Sequence, residues 1–388
     1  MGAGRAILIA TLVAALLSAC GQAGASVRPA PGSVVAAAAP GGPLQSVDCV
    51  NATTCWAVGS NGDSPTRAQA VIEEYTGGGW AMATTAAAPA GHGYALLGVS
   101  CPSSGECWAV GTDSGPGGTV PLIEHHAGGS WSIVRAAPVA GSNVAGLRGV
   151  ACAGSTDCWA VGSFGASPTR PLVEHFDGNR WTLAQPPSTP EAGDASLNAV
   201  TCQRDGSCWT VGVADAEHSL AARLDGGRWM TVAAAVVGGE SATLSGVSCT
   251  AVPECWAVGS ITTRGVRWPL IEGNDGSGWT VVTTPRPLFS STGWLTGVSC
   301  ARAQACWAAG GVRSFAGTER PLVQLYDGSA WRIINPPAHS ATALVTSVAC
   351  SDEDDCWTVG SCDSSTSSVC GGSGSLIEMY DTVLPDGH

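Results

Sequence analysis

The chain has 388 residues, 45% of them hydrophobic and only 12% charged, with 53 glycines, 17 cysteines and a formal net charge of −13. Its 17 basic residues are all arginine, and an acidic chain without clustered cations is not built to hold a phosphate backbone, so nucleic acid is excluded as a partner. Seventeen cysteines do not suit a reducing compartment unless they bind metal.

Residues 1–20 read as an export signal. Arg5 and the amino terminus form the positive flank, and Ile7 to Leu17 form an apolar run too short to span a membrane comfortably. The run ends in Leu17-Ser18-Ala19-Cys20, which resembles the bacterial lipobox. The resemblance implies that Cys20 is lipidated and becomes the first residue of the exported chain. The alternative is an ordinary signal with a chance cysteine. Acyl chains contribute roughly 0.8 kcal/mol per buried CH₂ and would hold the protein on a membrane surface without a spanning helix. Residues 21–32, rich in Gly, Ala, Pro and Ser, read as a flexible linker.

Residues 33–388 are organised by a repeat. Cys49/Cys55, Cys101/Cys107, Cys152/Cys158, Cys202/Cys208, Cys249/Cys255, Cys300/Cys306 and Cys350/Cys356 all have C-x5-C-W spacing, with a glycine three residues after the tryptophan. Successive copies start 52, 51, 50, 47, 51 and 50 residues apart. A period near 50 with several short strands per unit predicts a β-propeller. In the third copy the strands are Leu147 to Cys152, Cys158 to Gly162, Pro171 to Phe176 and Trp181 to Ala184, with turn residues between them. The fold predicted is therefore all-β: a seven-bladed β-propeller of four-stranded antiparallel blades.

Each cysteine pair falls at the end of a first strand and the start of a second, where cross-strand neighbours are within disulfide reach. Cys362 and Cys370 make an eighth candidate pair. The histidines follow no repeat with the cysteines, so disulfides in an oxidising, extracytoplasmic compartment are expected rather than a metal or other cofactor. One first-strand position carries only small residues: Ser46, Gly98, Gly149, Ala199, Gly246, Gly297 and Ser347. That suits seven inner strands crowded round an axis. Tryptophans follow every second cysteine, and a second set (Trp80, Trp131, Trp181, Trp229, Trp279, Trp331) has only six members. The seventh unit stops after its third strand, while Ser33 to Pro40 reads like a fourth strand. Residues 33–39 are therefore expected to complete blade seven and close the ring.

The run Leu322 to Trp331 followed by Pro336-Pro337, and the recurring Trp-Ala-Val-Gly, resemble kelch repeats; Gly310-Gly311 matches the kelch glycine pair. Asp177-Gly178-Asn179-Arg180-Trp181 is similar to the Asp-box of sialidases, one residue shorter. The chain thus resembles secreted bacterial kelch-like or sialidase-like propellers. The resemblance bears on the fold far more than on the activity.

Glu73, Glu124, Glu174, Glu272 and Glu378 recur on the third strand, with Gln324 and Ala222 as exceptions. Their repetition points to a structural bond, to a loop N–H or a neighbouring arginine. Arg67, Arg170, Arg267 and Arg320 precede third strands, on the face where blades connect, and resemble the arginine cluster of sialidases. Ordinary loop arginines are the simpler reading. The acidic turn Ser351 to Asp355 is expected to be a solvated loop rather than a Ca²⁺ site.

Aromatics that break the repeat mark the best candidate site. Trp268, in the loop of blade five, and Phe289 and Trp294, in the connection from blade five to blade six, fall on one face and in one sector beside Arg267 and Arg264. Aromatic plates next to arginines suit a sugar ring or a peptide; a local hydrophobic plug is the alternative. The expected role is a surface-anchored, monomeric binding module for an extracellular polysaccharide or protein, held to the membrane by its lipid. Two other classes stand beside it: a glycoside hydrolase or lyase drawing on acids such as Asp194, Asp215, Glu217 and Glu240, and a structural envelope protein without a small ligand.

Overall fold

Second strands are apolar at consecutive rather than alternate positions: Cys158, Trp159, Ala160, Val161 and Gly162 are all buried. Burial on both sides requires two covers, and the fold supplies a neighbouring blade on each. A computed structural model describes residues 35–36, 41–190, 193–215, 217–235, 240–250, 254–288, 290–334, 342–353, 355–363 and 374–380. They form seven four-stranded antiparallel sheets, each ordered from first strand to fourth. Blades one to six span 44–82, 93–134, 145–183, 196–232, 241–281 and 290–334. In each, the first-to-second and third-to-fourth turns open on one side, here the staple face. The second-to-third turns and the links between blades open on the other, the connection face.

Blade seven draws on both chain ends. Its strands are Ala343–Cys350, Cys356–Cys362 and Ser375–Tyr380, and its outer strand is Val35–Ala36, paired as Val35↔Met379 and Ala36↔Glu378. The expected closure is observed at these two residues; the rest of 33–40 lies outside the described residues. Deleting residues 21–40 is expected to lower the melting temperature by roughly 7 °C, the shift given by a loss of about 5 kcal/mol in a domain of this size. Circular dichroism melts would read it, and an unchanged midpoint would show that the ring holds without this strand.

Seven disulfides staple first strands to second, with Cα separations of 4.0–4.1 Å. The expected pairs form: Cys49–Cys55, Cys101–Cys107, Cys152–Cys158, Cys202–Cys208, Cys249–Cys255, Cys300–Cys306 and Cys350–Cys356. The second cysteine lies at the start of a strand covered by a blade on each side. Cys55, Cys107, Cys158, Cys208, Cys306 and Cys356 are accordingly fully buried, and Cys255 is 1% exposed. The first cysteine of most pairs is partly exposed, and Cys152 and Cys202 line the axial cavity. Cys362 is also disulfide-bonded, while Cys370 lies outside the described residues.

Every first strand shifts register just before its small residue, as between Leu147 and Gly149 or Leu244 and Gly246. Such bulges bend the strand. A Cβ on Gly246 would stand 3.1 Å from the Gly297 Cα, and one on Gly149 3.2 Å from the Ala199 Cα. The ring around the axis therefore closes only on small residues.

Between blades the tryptophans meet edge to face. Trp56 packs on Trp131, Trp108 on Trp181, Trp159 on Trp229, Trp209 on Trp279, Trp256 on Trp331 and Trp357 on Trp80, with centroids 5.2–5.5 Å apart. Each pair joins one blade's second strand to the next blade's fourth. At the sixth interface blade seven has no fourth-strand tryptophan, and Trp307 meets Tyr380 instead, at 5.3 Å.

The recurring glutamates are fully buried, and four of them hold the links between blades. Backbone N–H groups of Gly41, Ala137 and Ala235 donate to Glu73 (3.0 Å), Glu174 (2.8 Å) and Glu272 (3.2 Å), and Thr85 Oγ1 donates to Glu124 (2.9 Å). Each carboxyl catches the segment entering its own blade. Of the two partners expected, loop N–H groups are found at Glu73, Glu174 and Glu272, and among the described residues no arginine pairs with these three.

Candidate functional site

The second and third strands of blade five run on past the repeat core and close on a two-residue turn, Thr263↔Val266 around Arg264-Gly265. Both turn residues have positive φ, +51° and +77°, as a type I′ hairpin requires. The extension places Trp268 on the third strand Val266–Asn274 rather than in a loop. Likewise the first strand of blade six, Ser290–Arg302, begins early enough to include Trp294, which lies on a strand rather than in the connection.

Register alignment sets Trp294 against Pro43, Ala95, Gly146, Ser196, Thr243 and Leu344 of the other blades. Only Leu344 among these is large. The indole fits because its cross-strand partner is Gly311; a Cβ there would come within 2.9 Å of the Trp294 ring and 2.6 Å of Leu344. This gives the second glycine of Gly310-Gly311 a local cause.

Two guanidinium–indole contacts organise the sector. Arg267 Cζ lies 5.0 Å from the centroid of Trp294, and Arg286 Cζ lies 4.8 Å from that of Trp268, both within cation–π range. The site thus brings Arg267 to Trp294 as residues of one cluster. Trp268 is capped instead by Arg286, which its sequence context did not single out. Arg264 is exposed at the hairpin tip, and Phe289 lies outside the described residues. Burial lowers the Arg267 pKa from its ordinary value, without changing its charge near neutral pH.

Two more apolar groups project here. Leu288 is 83% exposed in the connection and Phe315 is 80% exposed at the tip of the blade-six hairpin, the two most exposed large hydrophobic side chains described. Arg313 beside Phe315 is ion-paired with Glu319, and Arg320 is exposed on the adjoining strand. In a chain of net charge −13 this rim carries Arg264, Arg267, Arg286, Arg313 and Arg320. Arg264, Arg267, Arg286 and Arg320 make no ion pair among the described residues.

The axial cavity, about 340 Å³, is lined by the first strands. Its charged residues include Asp48 and Arg148. Asp48 accepts from the backbone N–H of Cys101 (2.6 Å) and Cys49 (3.0 Å), and burial pushes it up to about 6. Its bond to Cys101 ties blade one to blade two. Ser248 and Ser299 make the same bond to Cys300 and Cys350, so Asp48 is a variant of an interblade tie.

Among the acids weighed for hydrolysis, Asp194 accepts from the Thr169 N–H at 2.6 Å and from its hydroxyl at 3.2 Å. In the acidic turn of blade seven, Glu353 pairs with Arg302 and Asp355 is buried rather than solvated. No group of three or more His, Cys, Asp or Glu suited to a metal occurs among the described residues.

No family model matches the chain, and no curated protein matches it. Among solved structures, YCF48 from Cyanidioschyzon merolae is similar at 15% identity and a TM-score of 0.54, over 88% of this chain and 96% of that one. The Hadza microbial sialidase Hz136 follows at 11% identity and a TM-score of 0.48, over 82% and 74% of the two chains. Trypanosoma rangeli sialidase matches at 9% identity and a TM-score of 0.49, over 91% and 60%. At such identities the likeness is one of propeller fold alone.

Proposed function

We propose that the chain is a surface-anchored β-propeller binding module, which recognises an extracellular glycan or protein through the connection face of blades five and six. The observation that carries this reading is the non-repeating cluster there: two arginine-capped indoles, Leu288 and Phe315 projecting beside them, and unpaired guanidinium groups on an otherwise acidic chain. Arginine and aromatic side chains dominate interface hot spots, and ring packing between blades accounts for neither exposed side chain.

The seven disulfides fit a location outside the cytoplasm. No helix among the described residues is long and apolar enough to cross a membrane. Attachment is assigned to a lipid on Cys20, on the strength of its lipobox-like context.

The test is a pull-down of the oxidised protein with isolated cell-wall polysaccharide and with envelope protein extract. An Arg286→Ser/Phe315→Ser variant runs beside the wild type. Each hot-spot residue contributes about tenfold in affinity or more, so the double variant should retain a few per cent of wild-type binding with an unchanged melt. Binding that survives both substitutions would move the site elsewhere on the ring.

A further inference from the structure

Blade five breaks the repeat a second time, on the opposite, staple face. In six blades the second-strand tryptophan is paired across the sheet with a residue that has a side chain. Trp56 is paired with Glu74, Trp108 with His125, Trp159 with His175, Trp209 with Arg223, Trp307 with Leu325 and Trp357 with Met379. Those six indoles are 1–5% exposed. In blade five the partner of Trp256 is Gly273, and Trp256 is only partly buried. The missing side chain leaves a cavity of about 390 Å³, with Glu254, Asn274, Thr280, Gln304 and Tyr326 round the indole. That volume lies in the range of small-ligand sites.

The neighbouring blades show what chemistry fits. His125 stacks on Trp108 with ring centroids 3.9 Å apart and planes 15° apart, and its Nε2 lies 3.5 Å from Glu106 Oε1. His175 stacks on Trp159 at 4.1 Å and 22°, with Nε2 2.9 Å from Asp157 Oδ1. Glu106 and Asp157 each immediately precede the second cysteine of the staple. Glu254 holds that same position before Cys255; it is exposed and makes no ion pair among the described residues. In blade four the paired residue is Arg223, 3.9 Å from Asp225. Blade five thus keeps the indole floor and the carboxylate and lacks only the base between them. Asp275 adds a second carboxylate to the lining, which contains no arginine.

We propose that this cavity binds a planar nitrogen cation, an imidazolium or guanidinium, stacked on Trp256 and paired with Glu254 in the place that His125 and His175 fill in blades two and three. The cation belongs either to a free small molecule or to a histidine or arginine side chain of a polypeptide. Cation–π attraction to tryptophan and ion pairing across a partly desolvated site act together there.

Titration calorimetry on the oxidised protein tests this with agmatine, 4-methylimidazolium, a blocked Ala-Ala-Arg-Ala-Ala peptide and, as a neutral control, methyl glucoside. The cations are expected to bind with Kd on the order of 1 mM, as suits few contacts. A peptide at least about tenfold tighter than agmatine would identify a polypeptide source, and equal affinities a free ligand; both support the site. Gly273→His should abolish binding by supplying the missing cap. Its Cβ would stand 3.2 Å from the Trp256 ring and 3.4 Å from Val282, so the indole must shift by a few tenths of an ångström and the melt of this variant is measured beside its binding. Glu254→Gln, at an exposed position, should weaken the cations by about tenfold and leave the melt unchanged. Three results would overturn the proposal: methyl glucoside binding as well as the cations, cation binding that persists in a folded Gly273→His, or no binding up to ~50 mM.

Discussion

Reduction of the seven in-blade disulfides is expected to leave the chain unable to hold its ring. Each staple closes a C-x5-C loop, for which the chain-entropy argument gives about 2 kcal/mol. Seven together reach roughly 15 kcal/mol, the whole net stability of an ordinary domain. A reductant in denaturant should break all seven, and the reduced chain should then fail to regain its β-sheet spectrum until it is reoxidised. A single Cys152→Ala/Cys158→Ala replacement is expected to cost only about 3 °C in melting temperature. A fully reduced chain that still melts cooperatively would mean that the interblade tryptophan pairs and glutamate bonds suffice without the staples.

The fold was legible because one repeat unit, copied seven times, fixes strand order, staples and blade count together. The spacing of Cys152, Cys158, Trp159 and Gly162 is enough to place two strands and a turn. What the repeat could not convey lies where blades depart from it. Trp268 and Trp294 stand out in the sequence as aromatics without counterparts, but the lengthened hairpins that turn them into strand residues depend on pairings such as Thr263↔Val266. Arg286, between Pro285 and Pro287, sits in a connection with no repeat equivalent, so nothing in the pattern pointed to Trp268 as its partner. The recurring glutamates announced a structural bond, whereas the N–H groups of Gly41, Ala137 and Ala235 are brought to them only by the path of the connections. Gly273 was the quietest signal. A glycine in a strand looks ordinary until the third strands are set in register and every other blade shows a side chain over its indole.

Stability of the ring is expected to rise as pH falls from 8 to 5, by roughly 10 °C in melting temperature. Burial pushes Glu73, Glu174 and Glu272 up to about 7, against the lowering effect of the backbone N–H groups of Gly41, Ala137 and Ala235. Glu124 is also raised by burial, opposed by Thr85 and the Ala86 backbone. Folded-state values above the unfolded ones mean that the folded chain binds more protons between them. The contribution is therefore fully present below about 4.5 and is lost as pH rises through 7, on the order of 3 kcal/mol for each fully buried carboxyl. Other groups pull the opposite way in more acidic solution. Asp327, held down to about 2 by the Ser329 hydroxyl and the Ala330 and Ser329 N–H groups, favours the folded state above the ordinary Asp range and loses that contribution as pH falls towards 2. The melting temperature should accordingly peak near pH 4–5. Replacing Glu174 with Gln keeps an acceptor for the Ala137 N–H and removes one titration, as blade six does with Gln324. Glu174→Gln should melt a few degrees higher than wild type at pH 8 and show a flatter profile towards pH 5. A profile unchanged by the substitution would mean that Glu174 stays ionised in the fold, with its N–H bond outweighing its burial.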